Sequence, residues 1–138
     1  MSAPAYARAY QVQSVLTASP GQLVLLMYDG ALRFMAQARA GFALPASTSG
    51  RIEAINTGLT RAQAVLGEHR ANLDLAAGGE VAQNLDRLYE YHLRRLFLAN
   101  LAKDEPAVAE VEELVRTLRD AWAEMLANGA TKGEAKVA

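Results

Sequence analysis

Cysteine is absent from this 138-residue chain, which excludes disulfides and thiolate metal ligands. The lack fits a reducing cytosol, where the protein is expected to work. Histidine is scarce too. His69 and His92 stand apart, with no Glu-x-x-His or His-x-x-His spacing and no glutamate repeat of the di-iron bundle type, so neither a metal nor a cofactor is expected. Charge of one sign is also missing. Fourteen basic and fifteen acidic side chains leave a net charge of −1, without the basic patch that a nucleic-acid binder carries. Arg94 and Arg95 adjoin, but Asp86, Arg87 and Glu90 precede them with mixed sign, as on a solvated helix face. The apolar run Leu23–Tyr28 is far too short to span a bilayer, and Met1–Tyr6 has no basic stretch leading into an apolar one. Neither membrane insertion nor a signal peptide is expected.

Chemistry-bearing patterns are equally thin. Gly78-Gly79 lacks the Lys and Ser or Thr of a phosphate loop. Asp74, Glu80 and Asp86 read as charges at a helix end and on a wet face, and no nucleophile is paired with an oriented base. The chain is not expected to be an enzyme.

What is present is helix. Alanine recurs in every segment, and β-branched residues thin out after Thr60. Residues 1–18 read as an extended or weakly helical arm carrying Tyr6, Tyr10, Val12, Val15 and Leu16. Ser19-Pro20-Gly21-Gln22 then supplies an N-cap, a proline at the first helical position and a capping-box glutamine. The helix that follows is expected over about 20–40, stopped by Gly41. Leu23, Leu26, Met27, Gly30, Phe34 and Ala38 form its apolar stripe, and Leu25, Tyr28 and Leu32 widen it, so this helix is central or touches something on two sides. Gly30 costs about 1 kcal/mol in a helix interior, for which close approach of a neighbouring helix is one reason.

A loop over Pro45–Gly50 offers several caps. A second helix is expected to reach about Ala77, with Ile52, Ile55, Leu59, Ala62, Leu66 and Leu73 on one side and Gly58 and Gly67 weakening it. Gly78-Gly79 breaks the chain and lets it reverse. A third helix, about Glu80 to Leu101, aligns Val81, Leu85, Leu88, His92, Leu96 and Ala99, flanked by Tyr89 and Leu93; His92 is expected to find one hydrogen-bond partner. A fourth begins at Asp104 or Glu105 with Pro106 in its first turn. Its stripe is Val108, Val111, Leu114, Val115, Leu118, Trp122 and Met125, with Trp122 in the core, and Asn128-Gly129 ends it. These stripes and short connections predict an all-α, antiparallel four-helix bundle. The bundle spans about 19–128 of a single domain, between the arm (1–18) and a flexible tail (129–138).

The apolar surface exceeds one stripe per helix. Leu25, Tyr28, Tyr89 and Tyr91 can be core, ordinary surface or the lining of a groove for a partner, a role that suits tyrosine. The apolar arm can cover its own bundle, contact another copy, or shield such a groove until a partner displaces it.

The segment Tyr10–Gly30, YQVQSVLTASPGQLVLLMYDG, resembles the N-terminal signature of the flagellar secretion chaperone FliS family. The resemblance continues through Leu73-Asp74, Gly78-Gly79-Glu80 with Ala82, Asn84-Leu85, and Leu88-Tyr89-Glu90-Tyr91. It ends at Leu118-Arg119-Asp120-Ala121-Trp122, covering about residues 6–126 in order. It implies a cytosolic, non-catalytic export chaperone. Such a protein binds the disordered C-terminal segment of flagellin, prevents premature polymerisation and aids delivery to the flagellar type III export apparatus. The arm of such a protein can lie over part of the flagellin site. By the same resemblance Tyr10, Val15, Thr17 and Ala18 fall in the movable or groove-adjacent start. Leu23, Met27, Asn56 and Leu59 are groove or core candidates, and Asn84, Leu88 and Tyr91 are contacts from the third helix. Gly78 and Gly79 only setting a turn, and Asn84 only satisfying a buried group, stand as equal alternatives. Further contacts with an export component or a regulator, and a homodimer, are left open. The competing reading is a generic helical adaptor or self-associating bundle without a flagellin client.

Overall fold

The computed structural model describes residues 19–129, and within them four helices follow one another: α1 (Pro20–Phe42), α2 (Arg51–Ala71), α3 (Gly79–Ala102) and α4 (Glu105–Ala127). No strand occurs among the described residues. Consecutive helices run antiparallel, and α4 closes the bundle by packing on α1 as well as α3. The arm and the end of the tail, and with them Tyr10, Val15, Thr17 and Ala18, lie outside the described residues.

The helix starts obey local rules. Ser19 Oγ accepts from the Gln22 N–H at 3.2 Å while the Gln22 side chain accepts from the Ser19 N–H at 3.1 Å, a complete capping box with Pro20 behind it. Asp104 caps α4, accepting from the Ala107 N–H at 3.3 Å. None of the candidate side chains caps α2. Gly50 takes the position with φ +84°, which a residue lacking Cβ adopts freely.

Two ends differ from expectation. α1 runs past Gly41 to Phe42, because Gly41 is a packing residue: a Cβ there would sit 3.1 Å from Ile55 Cγ1. α2 stops at Ala71, well short of Ala77. The Asn72 N–H caps the last turn, and the Asp74 carboxylate accepts from the Ala77 N–H at 2.9 Å, drawing that backbone into a turn.

Gly58, read from sequence as a weak point of α2, is where α1 and α2 come closest. A Cβ there would lie 2.7 Å from the Phe34 carbonyl oxygen and 2.8 Å from the Ala38 nitrogen, both backbone atoms unable to yield. Gly30, read as the close contact, is not one. A Cβ there would meet nothing nearer than an Arg33 guanidinium nitrogen at 3.8 Å.

The core follows a different face of α1 from the expected stripe. Val24, Tyr28, Ala31, Met35, Ala38 and Phe42 are buried, at the same three- and four-residue spacing. They pack with Ile55, Leu59, Ala62 and Leu66 of α2, Tyr89, Leu96 and Ala99 of α3, and Val108, Val111, Val115 and Trp122 of α4. Ile52 and Val81, placed on core stripes by spacing, are 54% and 57% exposed. Leu114 is exposed as well. On α3 the buried line runs instead through Ala82, Tyr89, His92, Leu96 and Ala99.

Ion pairs cross three of the four seams. Arg119 meets Asp29 at 2.8 Å and Arg39 meets Glu112 at 2.8 Å between α4 and α1. Arg70 meets Asp86 at 2.8 Å between α2 and α3, and Arg95 meets Glu110 at 2.9 Å between α3 and α4. No ion pair crosses the α1–α2 seam among the described residues.

A polar layer is buried behind that seam. Tyr28 and Tyr89 share a hydrogen bond between their hydroxyls, and the His69 ring stands 5.1 Å from Tyr28 and 5.0 Å from Tyr89. His92, with no exposed surface, finds no hydrogen-bond partner at either ring nitrogen, contrary to the sequence reading. Burial raises both tyrosine pKa values, and it lowers those of both histidines, His69 to about 4.

Above pH 6.5, the ordinary histidine value, folded and unfolded chains are both neutral at these positions. Below it the unfolded chain takes up a proton that folded His69 refuses until about pH 4. Stability should therefore fall as pH drops through this window, by roughly 2 kcal/mol from His69 alone at pH 5. Urea midpoints at pH 7 and pH 5 check this, and His69→Gln should flatten the slope between them. Gly58→Ala should destabilise by about 2 kcal/mol, since overpacking against backbone outweighs the helix-propensity gain. The same urea titrations measure it.

Candidate functional site

The residues assigned to the stripe of α1 by spacing, but absent from its core, gather elsewhere. Leu23, Leu26, Met27, Gly30, Arg33 and Phe34 line one wall of a cleft along the α1–α2 seam, with Val65 and Glu68 of α2 and its C-cap Asn72 opposite. The cleft holds about 310 Å³. α1 is therefore two-sided. Val24, Tyr28, Ala31 and Met35 face inward, while Leu23, Leu26, Met27 and Gly30 turn to the cleft.

The register of the antiparallel pair explains where the cleft begins. Toward the end of α1, Ala38 and Gly41 meet Ala54, Ile55 and Gly58, and the backbones touch. Toward its start the α1 wall carries long side chains except at Gly30, whose backbone is buried yet whose absent Cβ leaves a recess. Phe34 closes one end of the cleft. Arg33 of α1 and Arg61 of α2 lie over its ring, 5.8 and 6.0 Å from the centroid. Neither arginine, nor Glu68 on the rim, has an ion-pair partner among the described residues.

The structure distributes the remaining candidates over several faces. Leu23 and Met27 are in the cleft. Leu59, of its two alternatives, is core, with no exposed surface. Asn56 lies at the α2–α3 seam, accepting from the Asn100 amide at 2.7 Å. Tyr91 donates to Glu110 of α4, and together with Arg95 this holds the Glu110 carboxyl below the usual range. Leu88 is 40% exposed, and Asn84 is exposed and bonded to Arg87, so it satisfies no buried group. Leu26, Gly30, Phe34 and Val65 belong to the cleft but were not singled out as partner residues. Leu26, Gly30 and Phe34 were legible as part of one of two apolar flanks of α1, although spacing cannot say which flank is inward; the α2 spacing did not mark Val65. A separate apolar patch, Phe97, Leu98 and Leu101, is exposed on the last turns of α3.

Among the described residues no group of three or more His, Asp or Glu could hold a metal, and no helix is long and apolar enough to cross a membrane. A bundle with an apolar, charge-rimmed cleft of this kind has the form of a module that receives side chains of another chain. The family profile described as "Flagellar protein FliS" matches residues 1–129. The flagellar secretion chaperone FliS of Salmonella typhimurium is 37% identical over 119 residues, 86% of this chain and 84% of that protein. The Bacillus subtilis protein of the same name is 38% identical over 114 residues, 83% and 80% of the two chains. That of Escherichia coli is 37% identical over 122 residues, 88% and 87%. The chain belongs to the FliS family.

The two faces of α1 should separate by mutation. Leu26→Glu and Met27→Glu, on the cleft, should leave the helical circular dichroism intact and move the melting temperature by only a few degrees. Met35→Glu buries an unpaired charge and should abolish cooperative melting.

Proposed function

We propose that this protein is a flagellar export chaperone that holds the disordered C-terminal segment of flagellin, keeps it from polymerising prematurely and aids its delivery to the type III export apparatus. The observation that carries the reading is the cleft: apolar side chains on the wrong side of α1 for the core, in a chain of the FliS family. Leu23 and Met27 receive apolar anchors of the client there. Leu88 and Tyr91 offer contacts on another face to a client long enough to wrap around the bundle.

The mechanism is coupled folding and binding in a helix-in-groove mode. The client segment bears its own ordering entropy as it folds onto the bundle, so affinity per unit of buried area is low. A complex of that kind forms over a broad surface and can still be dismantled for export. No reaction and no cofactor are involved.

A second reading, a helical adaptor or self-associating bundle without a flagellin client, has the exposed Phe97, Leu98 and Leu101 in its favour. Calorimetry with the C-terminal segment of the same organism's flagellin separates the two. Saturable one-to-one binding with a negative heat-capacity change is expected. Leu26→Glu with Met27→Glu should weaken it by about 100-fold, the loss of two apolar anchors. No binding by a folded sample, together with dimerisation lost in Phe97→Ser, would establish the second reading instead.

A further inference from the structure

We propose that Gly30, Arg33 and Arg61 set what the α1–α2 cleft accepts: a partner segment with an apolar side chain over Gly30 and a carboxylate beside it that meets the guanidiniums flanking Phe34. The inference rests on the client reading above and names the chemistry of the client segment at that site.

Three observations carry it. Gly30 is the one position on the α1 wall without a side chain, and the nearest atom to the place of its Cβ is an Arg33 guanidinium nitrogen, 3.8 Å away. A glycine inside a helix is unfavourable, and no backbone contact or left-handed conformation requires this one. What it provides is room for a side chain from outside. Arg33, whose guanidinium reaches to 3.8 Å from the place of the Gly30 Cβ, and Arg61 each lie against the Phe34 ring, 5.8 and 6.0 Å from its centroid, and neither has an ion-pair partner among the described residues. They sit beside an apolar cleft, where an incoming carboxylate would be partly shielded from water and held by forked donors.

The same charges identify the occupant as another protein. Residues 1–18, ahead of the capping box, contain no aspartate or glutamate, and their one charged side chain is Arg8. In the tail beyond Gly129, Glu134 stands between Lys132 and Lys136. A second copy offering its Phe97–Leu101 patch would bring charges of both signs, Arg94, Arg95 and Lys103 with Asp104 and Glu105. None of these answers the cleft.

The test is calorimetry of full-length wild type, Gly30→Ala, Gly30→Leu and the double variant Arg33→Glu/Arg61→Glu against the flagellin C-terminal segment. The side chain introduced by Gly30→Leu would lie back over Leu26 and Met27 and fill the recess. This variant should weaken binding by about 30-fold, the exclusion of one buried apolar side chain, with helical content and melting temperature maintained. Gly30→Ala, which takes up part of the same space, should weaken binding by a smaller factor, about 3-fold, and melt no lower. The charge reversal should weaken binding by about 10-fold and remove most of its salt dependence, and changing a client carboxylate to Lys should restore it. If Gly30→Leu unfolds, the charge reversal and its rescue decide the matter.

Wild-type binding with Gly30→Leu equally tight overturns this inference and leaves the client reading standing. No binding by folded wild type removes both. Two other outcomes overturn it by naming a different occupant, each with client affinity unchanged in Gly30→Leu. One is a wild-type dimer, seen by sedimentation, that this variant loses. The other is faster amide exchange in residues 1–18 of this variant, which assigns the cleft to the chain's own arm.

Discussion

The contact between Gly58 of α2 and the Phe34–Ala38 turn of α1 governs how the other helices are arranged. With no side chain at Gly58, backbone meets backbone, and Gly41 extends the contact against Ala54 and Ile55. Two helices held this closely have one register. That register places the start of α1 opposite the end of α2, where Leu23, Met27, Val65 and Asn72 stand apart as the walls of a cleft. The seam that lacks an ion pair is thus the one held by the smallest residues, and it is also the one open to a partner.

The remaining seams depend on polar contacts that converge on α1 and α3. Trp122 at the end of α4 donates to the Gly21 carbonyl at 2.7 Å, and Arg119 one turn earlier pairs with Asp29. Tyr28 bonds Tyr89 of α3 through the middle of the bundle. These residues come from the stretches that carry the family resemblance: Ser-Pro-Gly-Gln and Tyr-Asp-Gly in α1, Leu-Tyr-Glu-Tyr in α3, Leu-Arg-Asp-Ala-Trp in α4. Much of that signature is therefore architecture. Tyr28 and Asp29 hold the bundle together, and only Gly30 of the Tyr-Asp-Gly triplet faces the cleft. A binding surface built from the opposite side of a structural helix inherits the rigidity of that helix, which lowers the ordering cost borne by the protein side of a complex.

The buried Tyr28–His69–Tyr89–His92 layer shows what such a core tolerates. Four polar rings lie together, and only the tyrosine pair is visibly satisfied through side-chain hydroxyls. Burial favours the neutral form of both histidines.

Much of the fold was legible in the residues alone. The capping box at Ser19, the cap at Asp104 and the apolar periodicity act over three or four positions, so they report helices without knowledge of anything distant. The expectation that α1 is central or touches something on two sides rested on the same local pattern, and α1 packs on both α2 and α4. Which flank is core was not legible. Leu23 and Val24 are equally apolar, and only the packing of α2 and α4 against one of them buries Val24 and leaves Leu23 on the cleft. The two glycines were read the wrong way round on the same account. Gly30 and Gly58 look alike in sequence, because what a missing Cβ means depends on what stands opposite: unyielding backbone at Gly58, only the far end of the Arg33 side chain at Gly30. The sequence by itself determined the helices, their approximate lengths and their apolar faces, since these are properties of neighbouring residues. The tertiary structure decided which apolar face became core and which became cleft, since that choice belongs to helices far apart in the chain.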